Sequence, residues 1–331
     1  MLVDIANEQF INHNKVGIIV VNNTIDKSVT DRITKGVNLF RLNRTRSSKS
    51  IFPAIKLIFL LRIKFRADVI HVHDPEIGKL IRLFCNTPMV LTIHNTNMDT
   101  RPMMIYKKIF AISNTVKLDI ESRSNLKCKL IYNGIRTQDI KKRESFTLPE
   151  VYKIILVKRL DHLSKGQDLL VNALNILINQ KGIKNIKLYF VGEGKSREFI
   201  QKLIDDLNLQ DYIFLLGNKS REWVYENLCK YELFIHPSRF EGFGLTVTEA
   251  MIAKVPVIAS NIEGPAEILE NGKHGLIFEN NSCEDLAKQI EYAMKLYENG
   301  DILKITDSAY NHCLKNFNIS RTAKEYCESY L

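Results

Sequence analysis

A chain of 331 residues, 45% hydrophobic and 25% charged, has room for two sizeable cores, and its composition is that of an ordinary α/β protein. The net charge of +10 is uneven: residues 1–150 hold 25 Lys+Arg against 13 Asp+Glu and the remainder 22 against 24, so the first part carries the whole basic excess. The six cysteines are scattered with no Cys-x-x-Cys pair, which reads as free thiols in a reducing cytoplasm rather than a disulfide framework or a zinc site.

The chain opens on MLVDIANEQFINHNK, whose apolar spacing is helical, with no charged and apolar leader before a small-residue cleavage site. The first strand, VGIIVVN from Val16, comes only after it. A doubly wound domain normally begins with a strand and a tight glycine turn, and both are missing from the start of this one. From Arg41, RLNRTRSSKSIFPAIKLIFLLRIKFR mixes cations with Ile, Leu and Phe. Pro53, Lys56, Arg62 and Lys64 interrupt its apolar part, and a membrane span needs about 20 nearly unbroken apolar residues. Two readings fit: an amphipathic core helix with a solvated basic edge, or a helix lying on an anionic membrane surface.

Short apolar runs then alternate with helical patterns: ADVIHVH from Ala67, MVLTIH from Met89, IFAIS from Ile109 and KLIYN from Lys129. Residues 136–149 are polar, charged and closed by Pro149, as a linker would be. A second series follows with KIILVKR from Lys153, IKLYFVGEG from Ile186, YIFLLGN from Tyr212, YELFIHPSR from Tyr231 and VPVIAS from Val255. Continuous apolar strands that end in Gly, Asn, Ser or His and give way to helices mark parallel sheets covered on both faces. The fold class is therefore α/β, with two doubly wound domains facing a cleft. We place the N-terminal domain at 1–140, the C-terminal domain at 141–310 and a closing helix at 311–331 that crosses back to the first. Ligand-binding residues in such sheets gather where strands end.

One such end is HPSRFEGFGLTVTEAM from His236. A loop, Glu241-Gly242-Phe243-Gly244-Leu245, leads into a helix beginning near Thr246. Glycines let the backbone approach a ligand, and a helix start offers N–H groups to a phosphate or sugar oxygen. Glu241 and Glu249 bracket this loop, and carboxylates suit vicinal hydroxyls. Thr246-x-x-Glu249 also fits a capping box, whereas Glu241 has no such structural role to explain it. At another strand end stand Arg159 and Lys165, either a pair of cations for a diphosphate or solvated surface charge. His71, His73 and His94 end strands of the first domain. His71 reads better as a satisfied core histidine than as a metal ligand, and no metal site is expected.

The block from Glu241 resembles the E-x7-E signature of glycosyltransferase family 4, including its Glu-Gly-Phe-Gly opening and the Pro-Val-Ile-Ala strand that follows. VKRLDHLSKG from Val157 resembles the family's Gly-Arg-Leu…Lys-Gly element, with Lys158 where the family often has glycine. VGEGKSREF from Val191 and EGPAE from Glu263 resemble further family turns, and the likeness extends over nearly the whole chain. It implies a GT-B fold of two Rossmann-like domains and a retaining, metal-independent transfer of a hexose-type sugar from a UDP- or GDP-sugar donor. It implies that Glu241 contacts hydroxyls of the transferred sugar and that the backbone of Phe243 to Leu245 contacts sugar or phosphate. Arg159 and Lys165 would then bind the donor phosphates, Glu249 the ribose, and His94 would face the reacting centre. No cofactor is implied, the nucleotide-sugar being a substrate. The implied acceptor is a glycan or a lipid-linked sugar in polysaccharide or glycolipid synthesis. The implied location is cytoplasmic, peripheral at the inner face of the cell membrane through the basic first domain. Nucleic acid is not an expected partner, because no recognised module accompanies the charge.

Two rival readings remain at this level. One is an inactive pseudoenzyme or partner-dependent subunit, shortened by the strand and glycine turn that the start of the chain lacks. The other is a nucleotide-sugar epimerase on the same fold.

Overall fold

The computed structural model describes residues 1–45 and 52–330. They form two compact units, one of Met1–Ile135 with Phe317–Leu331 and the other of Arg136–Asn316.

In the second unit six parallel strands are β7 (Tyr152–Val157), β8 (Ile186–Val191), β9 (Ile213–Leu215), β10 (Leu233–His236), β11 (Val257–Ser260) and β12 (Leu276–Phe278). Their order across the sheet is β12-β11-β10-β7-β8-β9. Ile154, Ile155, Leu156, Leu233, Phe234 and Ile235 are all fully buried, which is why these strands read as continuous apolar runs. Helices Gln167–Asn175 and Cys283–Glu298 place Leu170, Leu174, Leu286 and Ile290 in the same core. The earliest strand, β7, lies between β8 and β10, so the connections leaving β7 and β10 diverge. That reversal makes a crevice at the carboxyl ends of these two strands.

The first unit holds two separate parallel sheets. One pairs β1 (Gly17–Asn22) with β2 (Asn38–Arg44); the other has the order β3 (Ile70–Val72), β4 (Met89–Ile93), β5 (Lys108–Ala111), β6 (Cys128–Leu130). The helix Leu2–Ile11 serves both. Its Ile5 packs with Val90, Phe110 and Ile131, while Val3 and Ala6 pack with Ile18 and Val37. The closing helix Ile319–Tyr330 adds Ile319, Ala323 and Tyr326 to the four-stranded core.

Three expectations change. The stretch from Arg41 is not one helix. Arg41–Arg44 end β2, where β1 supplies hydrogen-bond partners, residues 46–51 lie outside the described residues, and a helix runs over Phe52–Phe59 into a π-helical turn, Leu60–Lys64. Pro53 stands in the first helical turn, where its missing N–H costs nothing. Strand β12 was not foreseen, since three residues give no period to read. Residues 136–149 are docked rather than free. The Arg143 guanidinium donates to the Tyr231 carbonyl (2.6 Å) and pairs with buried Glu232 (2.9 Å), and Arg143 N–H donates to the Ala253 carbonyl (2.9 Å).

Candidate functional site

The exits of β7 and β10 bring together residues more than seventy positions apart. β7 hands the chain to Lys158 and Arg159, and β10 ends on His236 and hands it to Ser238 and then Glu241. The Glu241 carboxylate is their meeting point. Lys158 Nζ donates to its Oε2, Lys165 Nζ reaches the same oxygen at 3.1 Å, and His236 Nε2 stands 3.7 Å from it. Lys165 Nζ also lies 3.3 Å from the Phe240 carbonyl.

Local chemistry explains why Lys165 arrives there. Gly166 takes a left-handed turn (φ +65°), and a Cβ at this position would sit 1.9 Å from the Pro237 carbonyl oxygen. Only glycine permits that approach. Arg239 then ties the β10 exit to the same turn. Its guanidinium grips Asp168 with two 2.8 Å bonds and donates to the His162 carbonyl at 2.6 Å, while its N–H donates to the Ser164 carbonyl at 2.9 Å. A bidentate fork of this kind fixes orientation as well as distance.

Burial alone would raise the Glu241 carboxyl, but the ammonium groups of Lys158 first and Lys165 after it outweigh burial and hold the group at about 2. Burial pulls the Lys158 ammonium down to about 8, with Glu241 opposing the shift. The wholly buried His236 imidazole is driven well below its ordinary value by burial first and Lys158 second, so it is neutral near pH 7. Neither of its nitrogens makes a hydrogen bond, and Ser238 Oγ and Thr246 Oγ1 are likewise buried without one among the described residues. Orphaned polar atoms at a strand end and in the first turn of the helix that follows it are what a ligand or ordered water normally satisfies.

The helix Leu245–Ile252 starts on Gly244 (φ +114°), with no side chain capping it. This overturns the capping-box alternative. Gly244 holds the cap position, two residues before Thr246. Glu249 lies in the helix body, where its Oε1 accepts from Tyr225 Oη at 3.4 Å, and that hydroxyl accepts from Arg221 Nε at 2.7 Å. Phe243 is buried, and the helix Glu263–Ile268 presses its Gly264 onto the loop so closely that a Cβ there would lie 2.6 Å from the Glu241 carbonyl oxygen. The loop backbone at Glu241 and Phe243 is thus held close against Gly264.

Glu241 and Lys165 are brought together, and Gly242, Phe243, Gly244 and Leu245 follow directly. Arg159 follows Lys158 at the same strand end, its side chain 72% exposed and 3.7 Å from Asp161. His94 belongs to the first unit, where its Nε2 lies 2.9 Å from His73 Nδ1. Burial lowers the His94 pKa, and burial with His94 beside it brings His73 down to about 3, so the pair is neutral near pH 7. His71 is a satisfied core residue, with Nδ1 2.9 Å from Tyr330 Oη and Nε2 2.7 Å from Thr92 Oγ1. Sequence reasoning missed Lys158 and His236 as site residues. The available signal for Lys158 was its departure from the expected glycine.

Two parallel-sheet units of this kind define the GT-B architecture, and solved structures share it across almost the whole chain. A glycosyltransferase from Rickettsia africae superposes with a TM-score of 0.81 at 22% identity, covering 99% of this chain and 92% of that one. Anabaena HepE, solved in complex with UDP and glucose, gives 0.80 at 18% identity, covering 99% and 94%. The model of glycosyl transferases group 1 matches residues 138–305, and that of glycosyltransferase family 4 matches residues 13–139. The chain belongs to the group 1 glycosyltransferase family.

Among relatives, an uncharacterized glycosyltransferase of Methanocaldococcus jannaschii is 28% identical over 255 residues, 72% of this chain and 67% of that protein. The poly(ribitol-phosphate) alpha-N-acetylglucosaminyltransferase of Staphylococcus aureus is 34% identical over 128 residues, 38% of this chain and 25% of its own length. The matched region spans between a quarter and about two thirds of these two curated relatives.

Proposed function

We propose that this chain is a retaining glycosyltransferase that moves a hexose-type sugar from a UDP- or GDP-sugar to a glycan or lipid-linked acceptor, without a metal cofactor. The observation that carries this reading is the Glu241 carboxylate held by two lysines among orphaned polar atoms at a sheet reversal. An incoming diphosphate competes with Glu241 for Lys158 and Lys165, with Arg159 adding a third cation at the same strand end. These cations do the work otherwise assigned to a divalent ion. Released from the lysines, Glu241 accepts hydrogen bonds from hydroxyls of the transferred sugar, and Glu249 those of the ribose. The backbone from Gly242 to Leu245 lies against sugar or phosphate, and His94 serves the reacting centre.

In the transfer step the acceptor oxygen bonds to the anomeric carbon on the face from which the diphosphate departs. The bond from that carbon to the β-phosphate oxygen breaks, and the acceptor's proton passes to the leaving phosphate. The relative named for alpha-N-acetylglucosaminyl transfer to poly(ribitol-phosphate) supports a glycan-type polymer as acceptor.

We further infer that the protein works at the cytoplasmic face of a membrane. No described helix is long and apolar enough to cross one. The helix Phe52–Phe59 and the turn after it instead expose Phe52, Ile55, Phe59 and Ile63 beside the exposed cations Lys56, Arg62 and Lys64. Spacings of three and four residues place those apolar groups on one side.

The test is transfer by Glu241→Gln, which keeps the side-chain volume and removes the charge. A loss on the order of 100-fold or more in kcat is expected. Wild-type-like turnover with UDP- and GDP-sugars would sink the assignment. Donor isomerised without any acceptor present would instead favour epimerase chemistry.

A further inference from the structure

Beyond the C-terminal end of the helix Glu263–Ile268, three side chains of the second unit converge: Glu270, His274 and His312. Their ligand-type atoms all lie within 4.8 Å of one another. Glu270 Oε2 is 3.3 Å from His274 Nε2, and Glu270 Oε1 is 3.4 Å from His312 Nδ1. The two imidazoles are stacked, with centroids 4.1 Å apart and planes 20° from parallel.

Two observations set this cluster apart from surface ion pairs. His274 is 6% exposed, and its Nε2 is enclosed with Glu270 Oε2 at 3.3 Å but makes no well-aligned hydrogen bond among the described residues. Its other nitrogen, Nδ1, is anchored 2.8 Å from Ser308 Oγ. A metal-binding histidine is normally held in this way, one nitrogen fixed by a hydrogen bond and the other directed at the ion. The backbone supports the third ligand. Glu270 (φ +44°) and Asn271 (φ +53°) both take left-handed conformations that residues other than glycine rarely hold, and this turn presents the Glu270 carboxylate to the two rings.

We propose that Glu270, His274 and His312 form a site for a first-row divalent ion of the zinc type. Ligands bonded at about 2.0–2.1 Å to a tetrahedral ion stand roughly 3.3 Å apart, close to the two carboxylate–imidazole separations found here. Two imidazoles and one carboxylate form a donor set that suits zinc, cobalt or nickel better than magnesium or calcium. Two neighbours must yield. Lys273 Nζ, 2.8 Å from Glu270 Oε2, is 67% exposed and free to swing into water. Asn316 Nδ2 gives up its 3.1 Å contact with His312 Nδ1 and keeps its 3.1 Å bond to the His312 carbonyl. The ion clamps the helix Ile302–Asn316 onto the connection between β11 and β12, and so stabilises the unit that carries Glu241.

The full chain, stripped with a chelator, is titrated with Co²⁺ and then Zn²⁺, following visible absorption, heat and melting temperature. One Co²⁺ per chain is expected, displaced by Zn²⁺, with a raised Tm and no sulfur-to-cobalt charge-transfer band. Glu270→Gln and His312→Gln each weaken binding by about tenfold or more, and Ser308→Ala, which removes only the hydrogen bond that anchors His274 Nδ1, by about tenfold. No binding by the wild type, a thiolate band, or unchanged affinity in Glu270→Gln overturns the site. Should circular dichroism show His312→Gln unfolded, Glu270→Gln decides, because it alters one partly exposed side chain at constant size. These readouts are independent of sugar transfer, so their failure leaves the reading of Glu241 untouched.

Discussion

Burying a lysine and a carboxylate costs several kcal/mol for each ion, and the loss is recovered only when they meet in good geometry. Lys158 and Glu241 do meet, at 10% and 20% side-chain exposure, and their titrations follow. The Glu241 pKa falls from an ordinary 4.5 to about 2, so its contribution to stability is complete above 4.5 and is lost as pH drops towards 2. Lys158 moves from 10.5 to about 8, so between those values the unfolded chain holds a proton that the folded one has released, and stability rises with pH. Lys158→Met should therefore remove the gain in ΔG of unfolding between pH 8 and 10.5; urea titrations at several pH values measure it, and a wild-type slope in the variant would refute the assignment. Affinity for UDP should also decline in the wild type as pH passes about 8, because a neutral amine no longer holds a phosphate, and should stay flat in Lys158→Met. Glu241→Ala is a poorer probe than Glu241→Gln, since truncation strands two buried ammonium groups and such losses reach about 3–5 kcal/mol. Glu241 itself was legible in the sequence as a carboxylate on a glycine-bearing loop. Its partner was not, because a lysine at a strand end declares neither its burial nor its neighbour.

At the scale of elements, the crevice depends on β7 and β10 lying side by side, with Leu233 opposite Ile154. That adjacency is long-range, so no local pattern announces it. Strands such as β4, β7 and β10 could be read from their apolar runs because both faces are covered. β2 could not, because NLFRLNR mixes cations into a strand whose residues are mostly part-exposed or exposed. The turn at Gly166 shows how local geometry then serves the site. Gly166→Ala combines a left-handed φ with a carbonyl 1.9 Å from the new methyl, so the turn must shift away from Pro237. A loss of stability above about 1 kcal/mol is expected. Donor affinity should fall with it, because Lys165 moves together with its neighbour. Denaturant midpoints and UDP titration separate the two effects. Wild-type donor affinity in a destabilised but folded variant would show that the turn does not position Lys165.

For the molecule as a whole, the basic excess lies in residues 1–150, and the exposed apolar groups of Phe52–Phe59 lie in the same part. Charge and apolar surface act differently on a membrane. Lys56, Arg62 and Lys64 contribute about 1 kcal/mol each near an anionic surface, roughly a hundredfold in partitioning, and salt screens that attraction. Insertion of Phe52 and Phe59 adds a contribution that salt does not screen. The chain should sediment with vesicles containing anionic phospholipid and not with purely zwitterionic ones, and raised NaCl should weaken the binding without abolishing it. Phe52→Ser with Phe59→Ser should leave the melting temperature unchanged, since both rings are exposed at 77% and 49%, while removing the salt-resistant part. Lys56→Glu with Lys64→Glu should remove the salt-sensitive part. If the phenylalanine pair has no effect on vesicle binding, the exposed face is not the contact, and the basic excess alone draws the protein to acidic surfaces.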